Sequence, residues 1–506
     1  MSAKRFLASL LASLSLLTAL AACSDSPAPA DDSTTTPADT TAAETAPKET
    51  GRADVKDNLP VDFTMGGKTV GVYMRSNVRQ IDWDGGGEES ADAVANAVYL
   101  RNQAVRERLN LTFETYALPN VWNEAGDYMK TEVLSGGDDI SIAFMRCGLT
   151  SYMGYDYLYQ DLSKNKYLDF DQPWWAKDAI FELSIDGKNV RYLFGDIVST
   201  SYLTSSVTFF NKVLYEDNFG SADDLYKMAL ERKWYYDKMM EMIETGHNDV
   251  NGDGSITVAS GDIYGMVIDN SFINARMDYG VDYERYHRGE DGVYTIEFDL
   301  NRAAEVLDVL YKLFFETKGA MYEPALYKTV PTTQTFTNGH SLFYVNGLEN
   351  VRSSNFRDMQ QDYGILPLPL IDEKQTEYRS VYSHDAGCVC VPVTCAEPDK
   401  MGAILEALAS ESYRSVTELV LESAMKVKYS RDQYSSQVID IILETADIDF
   451  LQTYASTIGS GYIVRMLLHD QSKSLSSSYN AQVAATNQKL QDLVAQYEQM
   501  TSSMNK

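Results

Sequence analysis

The sequence has few cysteines and histidines, and neither residue type is spaced like the ligands of a metal centre. It contains five of each in 506 residues, without a Cys-x-x-Cys pair or a Cys/His cluster at zinc spacing. The Gly-x-Ser-x-Gly, His-Glu-x-x-His and P-loop motifs are also absent. These absences remove the usual signatures of zinc proteins, serine hydrolases and nucleotide hydrolases.

Basic residues are also scarce. The chain has 43 Lys and Arg against 73 Asp and Glu, which gives a formal net charge of −30. A strong negative charge argues against nucleic acid or an anionic lipid surface as a partner. Hydrophobic residues make up 44% of the chain, which predicts a globular body, and no second long apolar run follows the N-terminal one.

The N-terminus predicts export and a lipid anchor. Lys4 and Arg5 precede an apolar stretch that ends in Leu20-Ala21-Ala22-Cys23. This ending resembles the lipobox of bacterial lipoproteins, which implies that residues 1–22 are a signal peptide and that Cys23 receives the lipid. The expected location is the outer face of the cell membrane. The alternative is an ordinary signal peptide in which Cys23 is incidental.

A polar segment separates this anchor from the body. Residues 23–56 are mostly Ser, Thr, Pro, Ala, Asp and Glu, and such a segment buries too little apolar surface to offset the entropy of ordering. We interpret it as a disordered tether. Roughly 450 residues remain, which is enough for two domains or lobes.

Strand and helix patterns alternate in the first part of the body. Strands are predicted at 68–74, 111–118 and 139–146, and amphipathic helices at 90–109 and 120–134. Such alternation predicts an α/β protein with a parallel sheet covered on both faces. Ligands bind at the carboxyl ends of the strands in such sheets, so the loops at 75–87 and 146–157 are candidates.

In the later part of the chain, strands and helices alternate less regularly. Strands are predicted at 207–210, 341–345, 364–366 and 385–393, and helices at 233–244, 302–315, 398–410 and 472–499.

Several short motifs occur in an order typical of one protein family. They are Asp92 to Arg108, Pro173-Trp174-Trp175, Phe210-Asn211-Lys212, Phe336-Thr337-Asn338-Gly339 with Asn346-Gly347, and Lys428-Tyr429-Ser430-Arg431-Asp432. Through them nearly the whole mature chain resembles the extracellular solute-binding proteins of bacterial ABC importers (family 1 type), in a Gram-positive-like branch.

The resemblance implies a two-lobed, periplasmic-binding-protein-like fold (type II), with a cleft between lobes that are joined by hinge segments. The N-terminal lobe would comprise 57–203 and 378–420, and the C-terminal lobe 204–377 and 421–506. A monomer would bind a carbohydrate in the cleft and deliver it to the transmembrane subunits of an ABC permease. The alternatives are a secreted glycan-active enzyme and a surface protein that binds glycans for adhesion.

The aromatic composition suits a sugar ligand. The chain has 34 Tyr against 18 Phe, and sugars stack on rings while planar polar groups bind their hydroxyls. Trp83 lies between Asp82 and Asp84 in a glycine-rich loop, so we expect Asp82 and Trp83 to contact the ligand and Trp83 to lie outside the core. Arg146, after the third strand, is the next candidate. Trp174, Trp175 and Trp234 are expected to pack in the core.

The resemblance also implies ligand contacts near residues 272–279 and 346–349. Leu348-Glu349 stands where maltodextrin-binding members have Pro-Trp, so a stacking platform is missing there. The further candidates are Phe272, Tyr279, Glu349, His384, Asp385 and Tyr462. For each of these residues the alternative is ordinary polar surface or a capped turn.

A segment in the second half matches the front of a calcium-binding loop. Asp249, Asn251 and Asp253 supply oxygens at positions one, three and five, and Ser255 offers its carbonyl at position seven. Position twelve is a serine, and Asp262, two residues later, is expected to replace the missing carboxylate. This pattern predicts a structural Ca²⁺ ion; the alternative is a series of Asx turns.

The four cysteines of the body are Cys147, Cys388, Cys390 and Cys395. They would make only a thin disulfide framework for a secreted protein, so we favour buried thiols over disulfides.

Overall fold

The computed structural model of the protein describes residues 51–75, 79–118, 122–148, 156–268, 273–321, 331–383, 386–425 and 434–504. Residues 1–56 and 57–506 are separate compact units. Of the first unit only residues 51–56 are described, and they contain a 3-10 turn at Arg52–Asp54. The predicted signal peptide, Cys23 and most of the tether therefore lie outside the described residues.

The second unit is an α/β structure. Its strands are β1 (Lys68–Arg75), β2 (Leu111–Leu118), β3 (Ile142–Arg146), β4 (Ser206–Asn211), β5 (Tyr264–Ile268), β6 (Tyr286–Arg288), β7 (Tyr294–Ile296), β8 (Ala320–Met321), β9 (Ser341–Gly347), β10 (Tyr363–Pro367), β11 (Ser380–Val381), β12 (Gly387–Cys390) and β13 (Ala446–Asp447). Its helices are α1 (Ala93–Leu109), α2 (Trp122–Leu134), α3 (Lys177–Glu182), α4 (Lys212–Phe219), α5 (Ala222–Leu230), α6 (Tyr236–Gly246), α7 (Ile273–Tyr279), α8 (Leu300–Tyr311), α9 (Thr332–Thr337), α10 (Ser354–Asp358), α11 (Pro398–Ser415), α12 (Thr417–Met425), α13 (Ser435–Glu444), α14 (Phe450–Ile458), α15 (Ile463–His469) and α16 (Leu475–Met504).

The first sheet has the strand order β12-β3-β1-β2. β1 pairs in parallel with β2 and β3, as the alternating pattern predicts, whereas β12 is antiparallel to β3. Gly71 is required in β1, because an added Cβ would lie 1.7 Å from the carbonyl oxygen of Asp139. Because β1 and β3 are parallel, their carboxyl ends lie at the same edge of this sheet.

The second sheet has the order β10-β4-β9-β5-β8 and is mixed. β4 is antiparallel to β10 and β9, whereas β5 runs parallel to β9 and β8. All residues of β4, β5, β9 and β10 are buried, which identifies them as the centre of the second core. The carboxyl ends of the parallel neighbours β5 and β9 share an edge of this sheet.

The chain returns to the first sheet after completing the second one. β12 joins the edge of the first sheet, and α11 packs against α1. Helix α13 packs instead on β10 of the second sheet. This path of the chain, from the first sheet to the second and back, agrees with the predicted lobes. The exact lobe boundaries stay a prediction.

Three segments lie side by side where the chain passes between the sheets. The amide of Ser383 donates to the carbonyl of Thr204 (3.2 Å), and the Ser206 hydroxyl donates to the carbonyl of Val381 (3.1 Å). β11 pairs in parallel with β13, which ties the second of these segments to the third. We call residues 204–206, 380–383 and 445–447 the crossing segments.

Two predictions about the core are confirmed. Trp174, Trp175 and Trp234 are buried, and all four cysteines of the second unit are buried thiols that form no disulfide. None of the helices in the described ranges has the length and apolar character needed to cross a membrane.

Candidate functional site

Asp82 and Arg146 lie near each other at the edge of the first sheet. Asp82 lies in a single π-helical turn, Arg79–Trp83, that follows β1, and Arg146 is the last residue of β3. The buried carboxylate of Asp82 accepts hydrogen bonds from the amide (3.2 Å) and the hydroxyl of Thr200. Burial raises the pKa of Asp82, while Thr200 and the positive charges of Arg101 and Arg146 oppose that rise. The sequence thus predicted two residues that the structure brings together.

Trp83 does not lie where the sequence predicted. Its side chain is 0% exposed, and its ring lies 4.9 Å from that of Phe113 and 5.1 Å from that of Phe144, centroid to centroid. The indole Nε1 donates to the hydroxyl of Thr115 at 2.9 Å. The expectation that flanking acids and glycines keep Trp83 out of the core is wrong, because the chain turns inward after β1 and the tryptophan fills the space above β2 and β3.

The second sheet presents a short 3-10 helix, Leu348–Arg352, after the carboxyl end of β9. Glu349 is exposed on this helix. Arg352 is partly exposed and lies within electrostatic range of Asp82 and Asp92, both of which belong to the first sheet and its helix α1. The helix that carries Glu349 therefore faces the strand ends of the first sheet. Arg352 belongs to no sequence motif, so no signal in the sequence could have identified it.

Tyr279 is a core residue. It is fully buried at the end of α7, and its hydroxyl donates to the carbonyl of Gly461. Burial raises the pKa of Tyr279 well above its ordinary value. No part of the Tyr279 side chain is accessible to a ligand in this arrangement.

The remaining candidates are placed as follows. Tyr462 is partly exposed, and its hydroxyl donates to the carbonyl of Gln452 at 3.4 Å. Phe272, His384 and Asp385 lie outside the described residues.

A groove of about 1040 Å³ lies between the turn at Asp186, β7 and α16, and none of the predicted ligand residues lines it.

The predicted calcium loop forms a compact network of turns. Asp249 accepts from the amides of Gly252 and Gly254, both at 2.8 Å, and Asp253 accepts from the amide of Ser255 at 2.8 Å. The Asn251 side-chain oxygen accepts from the amide of Asp253 at 2.9 Å. These Asx turns leave lone pairs on each oxygen, so they do not exclude an ion.

Asp262 does not take the position expected of it. It is fully buried, and its two oxygens accept from the amides of Val250 (2.8 Å) and Thr257 (2.9 Å), so it ties the two ends of the loop together. In the part of the chain that the structure describes, no three carboxylate, imidazole or thiolate groups converge to hold a metal ion. The ligand set proposed from the sequence is therefore incomplete, because Asp262 staples the loop instead of joining Asp249 and Asp253.

No protein-family model matches the chain, and no curated protein is similar to it in sequence. Solved structures are similar in fold. The galacto-N-biose/lacto-N-biose I-binding protein of a Bifidobacterium longum ABC transporter, in complex with lacto-N-biose, aligns over 85% of this chain and 98% of its own with a TM-score of 0.51 and 13% identity. The chain has the two-lobed α/β fold of periplasmic binding proteins.

Two further structures of this fold give the same result. An ABC transporter solute-binding protein from Thermotoga lettingae, bound with α-D-tagatose, aligns over 84% of this chain and 100% of its own with a TM-score of 0.50 and 13% identity. A sugar transporter from Rhizobium etli, in an open conformation, aligns over 84% and 99% with a TM-score of 0.50 and 14% identity. The predicted fold class is confirmed.

Proposed function

We propose that this protein is the solute-binding component of a bacterial ABC importer and that it captures an oligosaccharide between its two lobes. The observation that carries the proposal is the approach of charged groups from the two sheets: Arg352 of the second sheet lies within electrostatic range of Asp82 of the first. Polar side chains that converge between two lobes form the usual kind of small-molecule site.

The crossing segments suggest how ligand binding could close the two lobes on each other. They are held to one another by hydrogen bonds whose acceptors are backbone carbonyls. Small dihedral changes within them would rotate one lobe against the other, as in hinge closure. A ligand that contacts both lobes favours the closed state by its higher affinity for that state, and a permease then recognises the closed form.

The nature of the solute is inferred from composition and from the proteins of similar fold. Those proteins are described with lacto-N-biose and α-D-tagatose, and the third is a sugar transporter. The tyrosine-rich composition of this chain is consistent with a sugar. Similarity at 13–14% identity supports a shared fold but does not identify the ligand. The sugar is therefore part of our proposal.

The lipid on Cys23 completes the mechanism. Two or more acyl chains hold a protein stably on a membrane, and the segment 23–56 would let the body move within one tether length. Confinement of this kind raises the effective concentration of the binding protein near its permease.

A glycan panel tests the binding function. The purified second unit with its tether, mixed with neutral and acidic di- to tetrasaccharides, should show a raised melting temperature and a smaller radius of gyration with at least one glycan. Arg146→Gln should weaken that binding, whereas Arg232→Gln, which removes an exposed pair with Glu377 (2.8 Å), should not. Shifts with amino acids or peptides alone would refute a sugar ligand, and release of reducing ends would identify an enzyme.

Membrane fractionation tests the anchor separately. The full chain should be found with the membranes of a lipoprotein-processing bacterium, and Cys23→Ser should move it to the soluble or secreted fraction. A Cys23→Ser protein that stays with the membranes would contradict lipidation at this residue.

A further inference from the structure

Buried arginines in the described part of the chain are generally paired with acceptors. Arg101 donates to the carbonyls of Asp82 and Trp83 and to the hydroxyl of Ser412. Arg379 donates to Asp449 at 3.1 Å and to the carbonyl of Tyr279 at 3.0 Å. These partners are expected, because a buried guanidinium without acceptors is costly.

Arg285 also has acceptors for its guanidinium, although its Nε atom is buried without one. It donates to Asp278, and its guanidinium carbon lies 3.6 Å from the centroid of the Tyr283 ring. Its pKa is raised because these neighbours outweigh the effect of burial.

Arg276 is different. Its side chain is only 7% exposed, and its Nε and Nη1 atoms are buried without a hydrogen-bond partner among the residues that the structure describes. No carboxylate in those ranges forms an ion pair with it. An uncompensated buried cation destabilises a protein by several kcal/mol, so Arg276 calls for an acceptor, and none of the described residues supplies one.

The location of Arg276 points to a ligand. It lies on α7, which follows the carboxyl end of β5, one of the two parallel strands whose ends share the ligand-facing edge of the second sheet. At its other end α7 reaches the crossing segments, because the carbonyl of Tyr279 accepts from Arg379, the residue before Ser380. Arg276 therefore lies on a helix that follows β5 in sequence and whose C-terminal end reaches the hinge.

A second arginine borders the same edge. Arg352 follows β9, the parallel neighbour of β5, and its guanidinium makes no hydrogen bond or ion pair with any described residue. Its surroundings are mixed: Asp82 and Asp92 attract it, Arg357 repels it, and Glu349 is exposed on the same short helix. Arg352 is thus partly exposed and available, whereas Arg276 is buried.

We propose that the solute carries a carboxylate, as an oligosaccharide containing a uronic acid does, and that Arg276 binds it while Arg352 adds a second positive charge. This inference rests on the proposed function. Arginine suits such a role because its planar guanidinium binds a carboxylate through two parallel hydrogen bonds. A neutral sugar would leave the buried charge of Arg276 uncompensated.

Matched ligands test the inference. Binding of digalacturonate and of its dimethyl ester, which differ in charge but little in shape, is measured by calorimetry on the wild type, Arg276→Gln, Arg276→Lys and Arg352→Gln. The free acid should bind the wild type more tightly than the ester. Arg276→Gln should weaken binding of the acid by about 10- to 100-fold, the usual effect of losing hydrogen bonds to a charged group, and leave the ester within about threefold. Arg276→Lys should recover only part of the loss, and Arg232→Gln is the charge-matched control.

Stability of the unliganded protein gives an independent readout. Arg276→Met removes a buried unpaired charge at similar volume, so it should raise the melting temperature without ligand while it removes binding of the acid. A lower melting temperature would show that Arg276 has a structural role and would overturn the inference.

The outcomes separate the two proposals. Equal binding of acid and ester, or of neutral oligosaccharides alone, with no effect of Arg276→Gln, refutes the acidic solute and leaves the sugar-binding function intact. Binding of simple carboxylates such as citrate in preference to every glycan refutes both. Absence of binding to any glycan of the panel refutes the proposed function and, with it, the inference.

Discussion

The buried carboxyl group of Glu406 should make the protein less stable as the pH rises. Glu406 lies on α11 with 1% of its surface exposed, and its oxygens accept from the indole Nε1 atoms of Trp174 (3.1 Å) and Trp175 (2.8 Å). Burial raises its pKa from 4.5 to about 8, although the indole hydrogen bonds oppose the rise. The folded chain therefore keeps a proton between pH 4.5 and 8 that the unfolded chain has released.

The sign and size of the effect follow from this difference. Because the folded state binds more protons, its extra stability is complete below pH 4.5 and is lost as the pH rises through 8. One pH unit between the two pKa values corresponds to about 1.4 kcal/mol, so the gap corresponds to a loss of up to about 5 kcal/mol, less where water enters the site. That is a large share of the 5–15 kcal/mol typical of a folded domain.

Glu406→Gln isolates this contribution. The amide stays neutral at all pH values, but its NH₂ group faces one indole donor, which should cost about 1–3 kcal/mol at pH 5. At pH 9 the variant should be the more stable protein, because the wild type must then bury a carboxylate.

Guanidinium unfolding of the wild type and the variant at pH 5, 7 and 9 measures the two free energies. Glu411→Gln, which alters a partly exposed carboxylate on the same helix, should follow the wild type at each pH. Parallel pH dependences for wild type and Glu406→Gln would refute the reasoning, since they would place the pKa of Glu406 near that of an exposed group.

Two further predictions concern residues singled out from the sequence. Trp83→Ala should lower the free energy of unfolding by about 3–5 kcal/mol, as truncation of a buried aromatic residue does, and denaturant titration measures it; weakened ligand binding at unchanged stability would instead restore Trp83 as a contact. A Ca²⁺ ion held by the remaining ligands Asp249, Asn251 and Asp253 should raise the melting temperature of the chelator-treated protein, with about 2.7 kcal/mol of stabilisation at 100 times its dissociation constant, and Asp253→Asn should reduce the effect. An unchanged melting temperature throughout the titration would leave the loop as Asx turns.

The first sheet could be predicted closely because its strands carry a local signal. β2 has the predicted bounds 111–118, and β1 extends the predicted strand by one residue. Each is a short run rich in apolar and β-branched residues beside a helix with an apolar stripe, so burial and periodicity agree. The helices between 417 and 469 were not predicted. In α14 seven of nine residues are buried, so no polar face sets a helical period that the sequence could reveal.

The error at Trp83 has a different origin. Asp82 and Trp83 resemble a surface loop because their neighbours are acids and glycines. The partners that bury them are distant in sequence: Thr200 binds Asp82 across 118 positions, and Thr115 binds Trp83 across 32. Local composition carries no information about such partners. Arg276 was overlooked for the same reason, since only the tertiary structure shows that it lacks an acceptor among the described residues.

The low sequence identity to proteins of similar fold leaves the ligand site to be defined by the side chains of this chain. At 13–14% identity, TM-scores of 0.50–0.51 indicate a shared fold with little shared sequence. The fold requires buried strands and crossing segments. Because the crossing segments are held together largely by hydrogen bonds to backbone carbonyls, many different side chains are compatible with the fold. The side chains at the strand ends are not needed to maintain the fold, so they can differ between proteins that bind different ligands. Leu348-Glu349 removes a stacking platform for a neutral sugar, and the buried Arg276, which has no acceptor among the described residues, points to recognition of a negative charge.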